Sequence, residues 1–205
     1  MTCAHVELLL EELSAEAALR ILLPRVLPQP ITFNIHPFQG KLDLLGKLPQ
    51  RLGAYAEWLP KDWRIVVLLD EDREDCVSLK RQLEDFALGA GLTTKSSPGA
   101  DGSFAVLSRV AVEELEAWFF GDVQAMSSAY PGVPLTLGAR SGFRDPDAIP
   151  GGTWEALQRV LQKAGHHMGG LRKVEAAEKI AAHMEPGRNR SRSFQCFASG
   201  LADIR

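Results

Sequence analysis

Cysteine is scarce in this chain: Cys3, Cys76 and Cys196 are its three thiols. They are odd in number and lack metal-like spacing, which argues against a disulfide framework and a zinc site and fits reduced thiols. Long apolar runs are also missing. No stretch approaches the roughly 20 residues that span a bilayer. Glu7, Glu11 and Glu12 interrupt the first apolar run, so it does not read as a signal peptide. A cytoplasmic protein of bacterial type, with no membrane partner, is expected. A basic balance is absent as well. The net charge of −3 does not announce a nucleic-acid binder, and leaves that question to local patches. Internal repeats and low-complexity tracts are not seen. What remains is an ordinary globular composition, with length enough for one domain and a real core.

The chain alternates short apolar runs with helical periodicity. Residues 3–10 form a candidate first strand, followed by a helix over 16–26 with Ser14 as its N-cap. Residues 31–35 are β-branched and aromatic, a second strand, and 42–58 carry helical spacing. Ile65-Val66-Val67-Leu68-Leu69 is an uninterrupted apolar run, the mark of a strand buried on both faces. A helix over 75–88 is stopped by Gly89 and Gly91. Residues 104–107 predict a fourth strand and 110–120 a helix, with Asp122 capping the next. This βα alternation predicts an α/β fold with a mostly parallel sheet flanked by helices, over residues 1–130. Residues 131–152 are rich in Pro, Gly, Arg and Asp and read as an irregular loop. Helices over 153–164, 171–183 and 193–201 then make a C-terminal helical appendage of the same domain.

Four groups carry chemistry. Glu11 follows the first strand, and Asp70 and Asp72 follow the third. Strands of one parallel sheet end on one edge, where ligands of open α/β sheets bind. Carboxylates gathered there repel unless a cation lies between them, and Mg²⁺ or Mn²⁺ suits an oxygen-only set. The competing reading is helix caps and solvated turns. Glu114 and Glu116 form the third group. A helical wheel puts Glu116 beside Val112, Phe119 and Phe120, where a carboxylate needs a metal or a base such as Arg109. The fourth group is cationic: Lys41 after Gly40, Arg172 and Lys173 after Gly169-Gly170, and Arg188, Arg190 and Arg192 before the last helix. Such arginines suit phosphate, or form a solvated loop. Lys41 is not in a P-loop, because Leu42 stands where Ser or Thr would hold Mg²⁺. His166-His167 reads as surface.

These blocks resemble the TOPRIM (topoisomerase-primase) fold, in the branch of the overcoming-lysogenisation-defect nucleases. Within it they are most similar to DUF4276, a bacterial family of short stand-alone TOPRIM-like proteins. The matching blocks are Leu10-Glu11-Glu12-Leu13-Ser14-Ala15-Glu16, Phe38-Gln39-Gly40-Lys41, Leu68-Leu69-Asp70-Glu71-Asp72, Glu113-Glu114-Leu115-Glu116-Ala117-Trp118 and Gly170-Leu171-Arg172-Lys173. One position departs: Glu12 stands where TOPRIM domains usually have glycine.

The resemblance implies a Mg²⁺- or Mn²⁺-dependent nuclease acting on DNA or RNA. Glu11, Asp70 and Asp72 would hold metal, and Glu116 with Glu114 would complete a second position. Lys173 would neutralise the phosphate in the transition state, while Lys41, Arg172, Arg188, Arg190 and Arg192 would bind substrate. It also implies a role in phage defence beside an AAA or ABC-type ATPase, and a homodimer as one possible assembly. The rival reading is a catalytically weak regulatory or scaffold subunit of that ATPase. A phosphotransfer receiver domain fits less well, because no Lys follows a later strand.

Overall fold

The computed structural model describes residues 2–204. Four parallel strands, β1 (His5–Leu10), β2 (Thr32–Pro37), β3 (Trp63–Asp70) and β4 (Val106–Ala111), form one sheet in the order β2-β1-β3-β4. Helices α1 (Leu13–Val26), α2 (Lys41–Trp58) and α3 (Cys76–Gly89) connect them. Five further helices follow: α4 (Glu116–Gly121), α5 (Val123–Ala129), α6 (Thr153–Lys163), α7 (Lys173–His183) and α8 (Arg192–Ala202). Between α5 and α6 the chain makes three short 3-10 turns. The result is the expected α/β fold, an all-parallel sheet flanked by helices with C-terminal helices, consistent with a TOPRIM-like arrangement. Among the described residues no helix is long and apolar enough to cross a membrane.

Both faces of the sheet are covered, which explains why β3 is apolar at successive positions. Val6, Leu8, Leu10, Val66 and Leu68 share a core with α1 and the C-terminal helices. Leu9, Ile65, Val67 and Leu69 face the other way, against Leu44, Leu48 and Leu52 of α2 and Leu79 and Leu83 of α3. The C-terminal helices join the first core: α7 packs on α1 and α5, and α8 on β4. Trp118 of α4 is the hub, fully buried with its ring centroid 5.2 Å from Phe194 and 5.0 Å from Phe197. Its indole N–H donates to Ser193 Oγ at 2.9 Å, so its one polar atom is satisfied.

The capping expectations divide. Asp122 caps α5, accepting from Ala125 N at 3.1 Å, and Asp75 caps α3 through Ser78 N at 2.8 Å. Ser14 does not cap α1. The helix begins at Leu13, Glu12 holds the cap position, and the Ser14 hydroxyl turns back to the Glu12 carboxylate. The expected helix over 110–120 is also corrected. Val106 to Ala111 continues as strand, because Leu107, Val110 and Ala111 are needed to cover β3 and the core. Helix α4 starts only at Glu116.

Candidate functional site

Adjacent strands bring the acids to one edge. β1 and β3 pair with Leu10 opposite Leu68, and β3 and β4 with Asp70 opposite Ala111. Glu11, just past β1, therefore meets the end of β3, and its Oε2 accepts the Asp70 backbone N–H at 3.0 Å. Past β4 the chain turns through 112–115 and delivers Glu116 as the first residue of α4. Glu116 is 1 % exposed, and its Oε2 has no hydrogen-bond partner among the described residues. Its Oε1 lies 3.7 Å from Lys173 Nζ, which is also 3.8 Å from Glu12 Oε1 and 5.8 Å from the Trp154 ring.

Electrostatics mark this edge as uncomfortable without a further cation. Burial and then the negative fields of Glu116, Glu11, Glu12 and Asp72 push the Asp70 carboxyl well above its usual range. Burial raises the Glu116 carboxyl to about 7, against the pull of Lys173. Glu11 is raised as well, by burial, with Asp72 adding to it and the Asp70 N–H opposing. Burial works against the Lys173 charge, yet the surrounding carboxylates, Glu116 foremost, raise its pKa overall. The basic partner of Glu116 is thus Lys173. Arg109 spends its guanidinium on the carbonyls of Cys196 and Ser108.

The loop after β3 is held in a strained shape. Asp72 and Glu113 both have positive φ, 53° and 60°, and Asp72 N donates to Glu113 O at 2.7 Å. Non-glycine residues in this region cost energy and cluster at functional sites. Glu71, between the two aspartates, is the fastener: its carboxylate accepts Cys76 N and Glu113 N, each at 3.0 Å. Sequence reasoning missed this role, and only the spacing to Asp75, the cap of α3, hinted at it. Asp72 itself is drawn to Lys41, whose Nζ is 2.7 Å from its Oδ2, 3.2 Å from Glu74 Oε1 and 3.0 Å from Glu71 O.

The remaining candidates separate. Glu114 caps α6, its Oε2 accepting Thr153 Oγ1 at 2.7 Å and Trp154 N at 2.8 Å. Arg188 is clamped to buried Asp122 through two bonds of 2.8 Å. Exposed Arg190 reaches Gly138 O at 3.5 Å, and exposed Arg172 pairs with Glu175 at 2.8 Å. Arg192 is exposed, its backbone N–H bonded to Asp147. The edge therefore gathers Glu11, Glu12, Asp70, Glu116 and Lys173, with Asp72 and Lys41 beside them. The arginines stand apart. His166 and His167 are half-buried and tie Pro131 O and Tyr130 OH.

The donor chemistry fits a hard divalent cation: all oxygen, partly buried, and short of positive charge. In this arrangement, no three His, Cys, Asp or Glu side chains of the described residues are drawn together at metal-holding distance. Lys41 and the Asp70 N–H hold Asp72 and Glu11 in their present places. A cavity of about 490 Å³ opens alongside, lined by Glu12, Ser14, Phe38, Gly40 and Lys173 among others.

Fold and site define a small α/β protein with a buried acidic cluster at the carboxyl edge of a parallel sheet. The chain belongs to the family described as "Domain of unknown function (DUF4276)", which matches it over residues 10–202. Searches of the curated proteins and of the solved structures find no match.

Proposed function

We propose that this chain is a Mg²⁺- or Mn²⁺-dependent phosphodiesterase acting on nucleic acid, of the TOPRIM kind related to the overcoming-lysogenisation-defect nucleases. The observation that carries this reading is the Glu116 carboxylate, buried with one oxygen unpartnered, in the negative field it shares with Asp70. Burying such a group costs several kcal/mol unless a ligand compensates it. Glu11, Asp70 and Glu116 would hold the ion, and Asp72 would join them on leaving Lys41. Glu114 has one oxygen committed to α6 and could offer only the other. A divalent ion bound here would supply charge neutralisation and an acidified water.

The chain's own residues do the rest. Lys173 carries its ammonium at the mouth of the acid cluster, placed to meet a phosphate oxygen and to stabilise charge that develops on it. Lys41, once exchanged from Asp72, would face the same substrate. Arg172, Arg190 and Arg192 are exposed and could meet the backbone without reading sequence. Arg188 would act by holding Asp122. A role in phage defence with an AAA or ABC-type ATPase, and a homodimeric assembly, are further parts of this proposal.

The internal pairing of Lys41 with Asp72 favours one alternative, a regulatory subunit whose acids are already neutralised. The two readings part on one experiment. Linear and circular DNA and RNA are incubated with the protein and Mn²⁺, alone and with its ATPase partner. The nuclease reading expects cleavage that chelator and Asp70→Asn both abolish. No cleavage in any combination, with no metal-dependent rise in Tm, would leave the regulatory reading standing.

A further inference from the structure

The other end of the sheet holds a second polar cavity, of about 600 Å³. It lies between the loop that enters β3 and the loop that enters β4. Arg64 lines it, six residues before Asp70 on β3 and therefore about 20 Å from the acidic edge. Ligands of parallel sheets bind at the carboxyl edge, so a cavity at the amino edge is not explained by the proposed chemistry.

Arg64 is the informative residue. It is 5 % exposed, yet no carboxylate of the described residues lies within ion-pairing distance of it. Its two hydrogen bonds, to Lys61 O and Trp63 O at 2.8 Å each, both leave from Nη1. Nε and Nη2, the pair that forms a two-pronged contact with phosphate or carboxylate, are unused. The Phe104 ring, 5.9 Å from Cζ, offers partial compensation. Those nitrogens face water only through the cavity, and a bound anion would take the place of that water.

The other walls agree with an anion that carries a flat group. Lys61 is exposed at the rim and makes no ion pair among the described residues, which adds positive charge. Trp63 and Phe104 are half-buried there and present aromatic surface. Of the two wall acids, Asp203 pairs with Lys95, while exposed Asp101 accepts Ser103 N and Oγ and keeps its charge at the rim. The volume is in the range of small-ligand sites.

We propose that this cavity is a second, non-catalytic site for a small phosphorylated ligand bearing a flat ring. A nucleoside monophosphate is the simplest such compound. Its phosphate would rest on the Nε–Nη2 side of Arg64 and its ring against Trp63 or Phe104.

The test titrates AMP, adenosine and inorganic phosphate into the full chain in chelator, by calorimetry and by intrinsic tryptophan fluorescence. Chelator keeps phosphate from binding through metal at the acidic edge. AMP should saturate, while adenosine and phosphate should each bind at least tenfold more weakly. Arg64→Gln should weaken AMP at least tenfold. Because that change could disturb the β3 entry, Lys61→Glu provides an exposed second variant that reverses the charge at the rim. It should weaken AMP similarly with Tm unchanged. Asp70→Asn, at the far edge, should bind AMP as wild type does. Non-saturable AMP, adenosine or phosphate binding as tightly as AMP, or full affinity in both Arg64→Gln and Lys61→Glu would overturn the proposal. So would loss of AMP binding in Asp70→Asn.

Discussion

Two buried carboxylates, one within the sheet and one just past its edge, are treated in opposite ways. Glu7, midway along β1, is surrounded by donors: Asn34 Nδ2 and Tyr55 OH donate to it at 3.1 and 3.0 Å. His5 Nε2 lies 3.1 Å from one of its oxygens and His36 Nε2 contacts the other. Burial alone would raise its pKa, but His36, Asn34 and Tyr55 outweigh it, and the carboxyl falls below its usual range. Glu116 is as deeply buried, has one distant lysine and keeps an oxygen with no partner. A fully bonded buried carboxylate is part of the fold, whereas an unpaired one costs stability and asks for a ligand. The contrast separates the acid that builds the sheet from the acids held ready at its edge.

The largest effect tests the ready acids. Asp70→Asn and Glu116→Gln should each lower metal-dependent phosphodiester cleavage on the order of a hundredfold or more, as removal of an electrostatic element does. Rates measured in Mn²⁺ with both variants verified as folded would check this. Wild-type rates in either variant would end the assignment of this edge as the active one.

Next comes the structural acid. Glu7→Gln puts an amide against donors that need an acceptor, and breaks a buried charge network. The expected cost is about 3 kcal/mol, or a fall in Tm on the order of 6–12 °C. Activity per folded molecule should be unchanged. If Glu7→Gln removes activity at full stability, the division between the two kinds of carboxylate fails.

Glu116→Gln should move stability the other way. With its pKa raised to about 7, the Glu116 carboxyl binds a proton more readily folded than unfolded. Its contribution is therefore favourable in acid and is lost as pH rises from about 4.5 through about 7. In chelator at pH 8, the variant should be about 1–3 kcal/mol more stable than wild type, less whatever Lys173 contributed. Below about pH 4, where both states are protonated, the difference should vanish. Melting curves across this range decide it, and a variant less stable than wild type at pH 8 would make Glu116 a structural partner of Lys173.

Much of this was legible before any coordinates. The run 65–69 read as a strand buried on both faces and 3–10 as a first strand, which could bring Glu11 to Asp70 only if the two were neighbours; the β1–β3 pairing supplies that. Residues 110–120 misled because Glu113 and Glu114 mimic a polar helix face, while a turn with Glu113 at positive φ separates strand from helix. The wheel argument for Glu116 therefore counted Val112 on a helix, where the chain turns between β4 and α4. The residue is buried all the same, because α4 begins on it. Glu114 and Arg188 could not be read locally. Their partners, Thr153 and Asp122, lie 39 and 66 residues away, and a cap made across such a distance leaves no local pattern. Glu7 left a trace: Asn34 and His36 alternate on β2, opposite Glu7 and Leu9 of β1, so polar residues line the strand beside it.

The smallest effects concern the basic segment, where the same contrast between bonded and free charge recurs. Arg188 holds Asp122, whose side chain is fully buried, and its pKa is raised chiefly by that bond. Arg190 and Arg192 carry exposed guanidinium groups. Arg188→Ala should therefore cost stability, about 1 kcal/mol given the partial exposure of the arginine, and leave the salt slope of nucleic-acid binding nearly unchanged. The double change of Arg190 and Arg192 to Ala should leave stability within about 0.5 kcal/mol of wild type. If both meet phosphates, it should flatten the slope of log K against log salt by about 2. Binding isotherms at several salt concentrations, set beside melting curves, read both quantities. A flattened slope in Arg188→Ala with no loss of Tm would reverse the roles, making Asp122 a minor partner and Arg188 the phosphate contact.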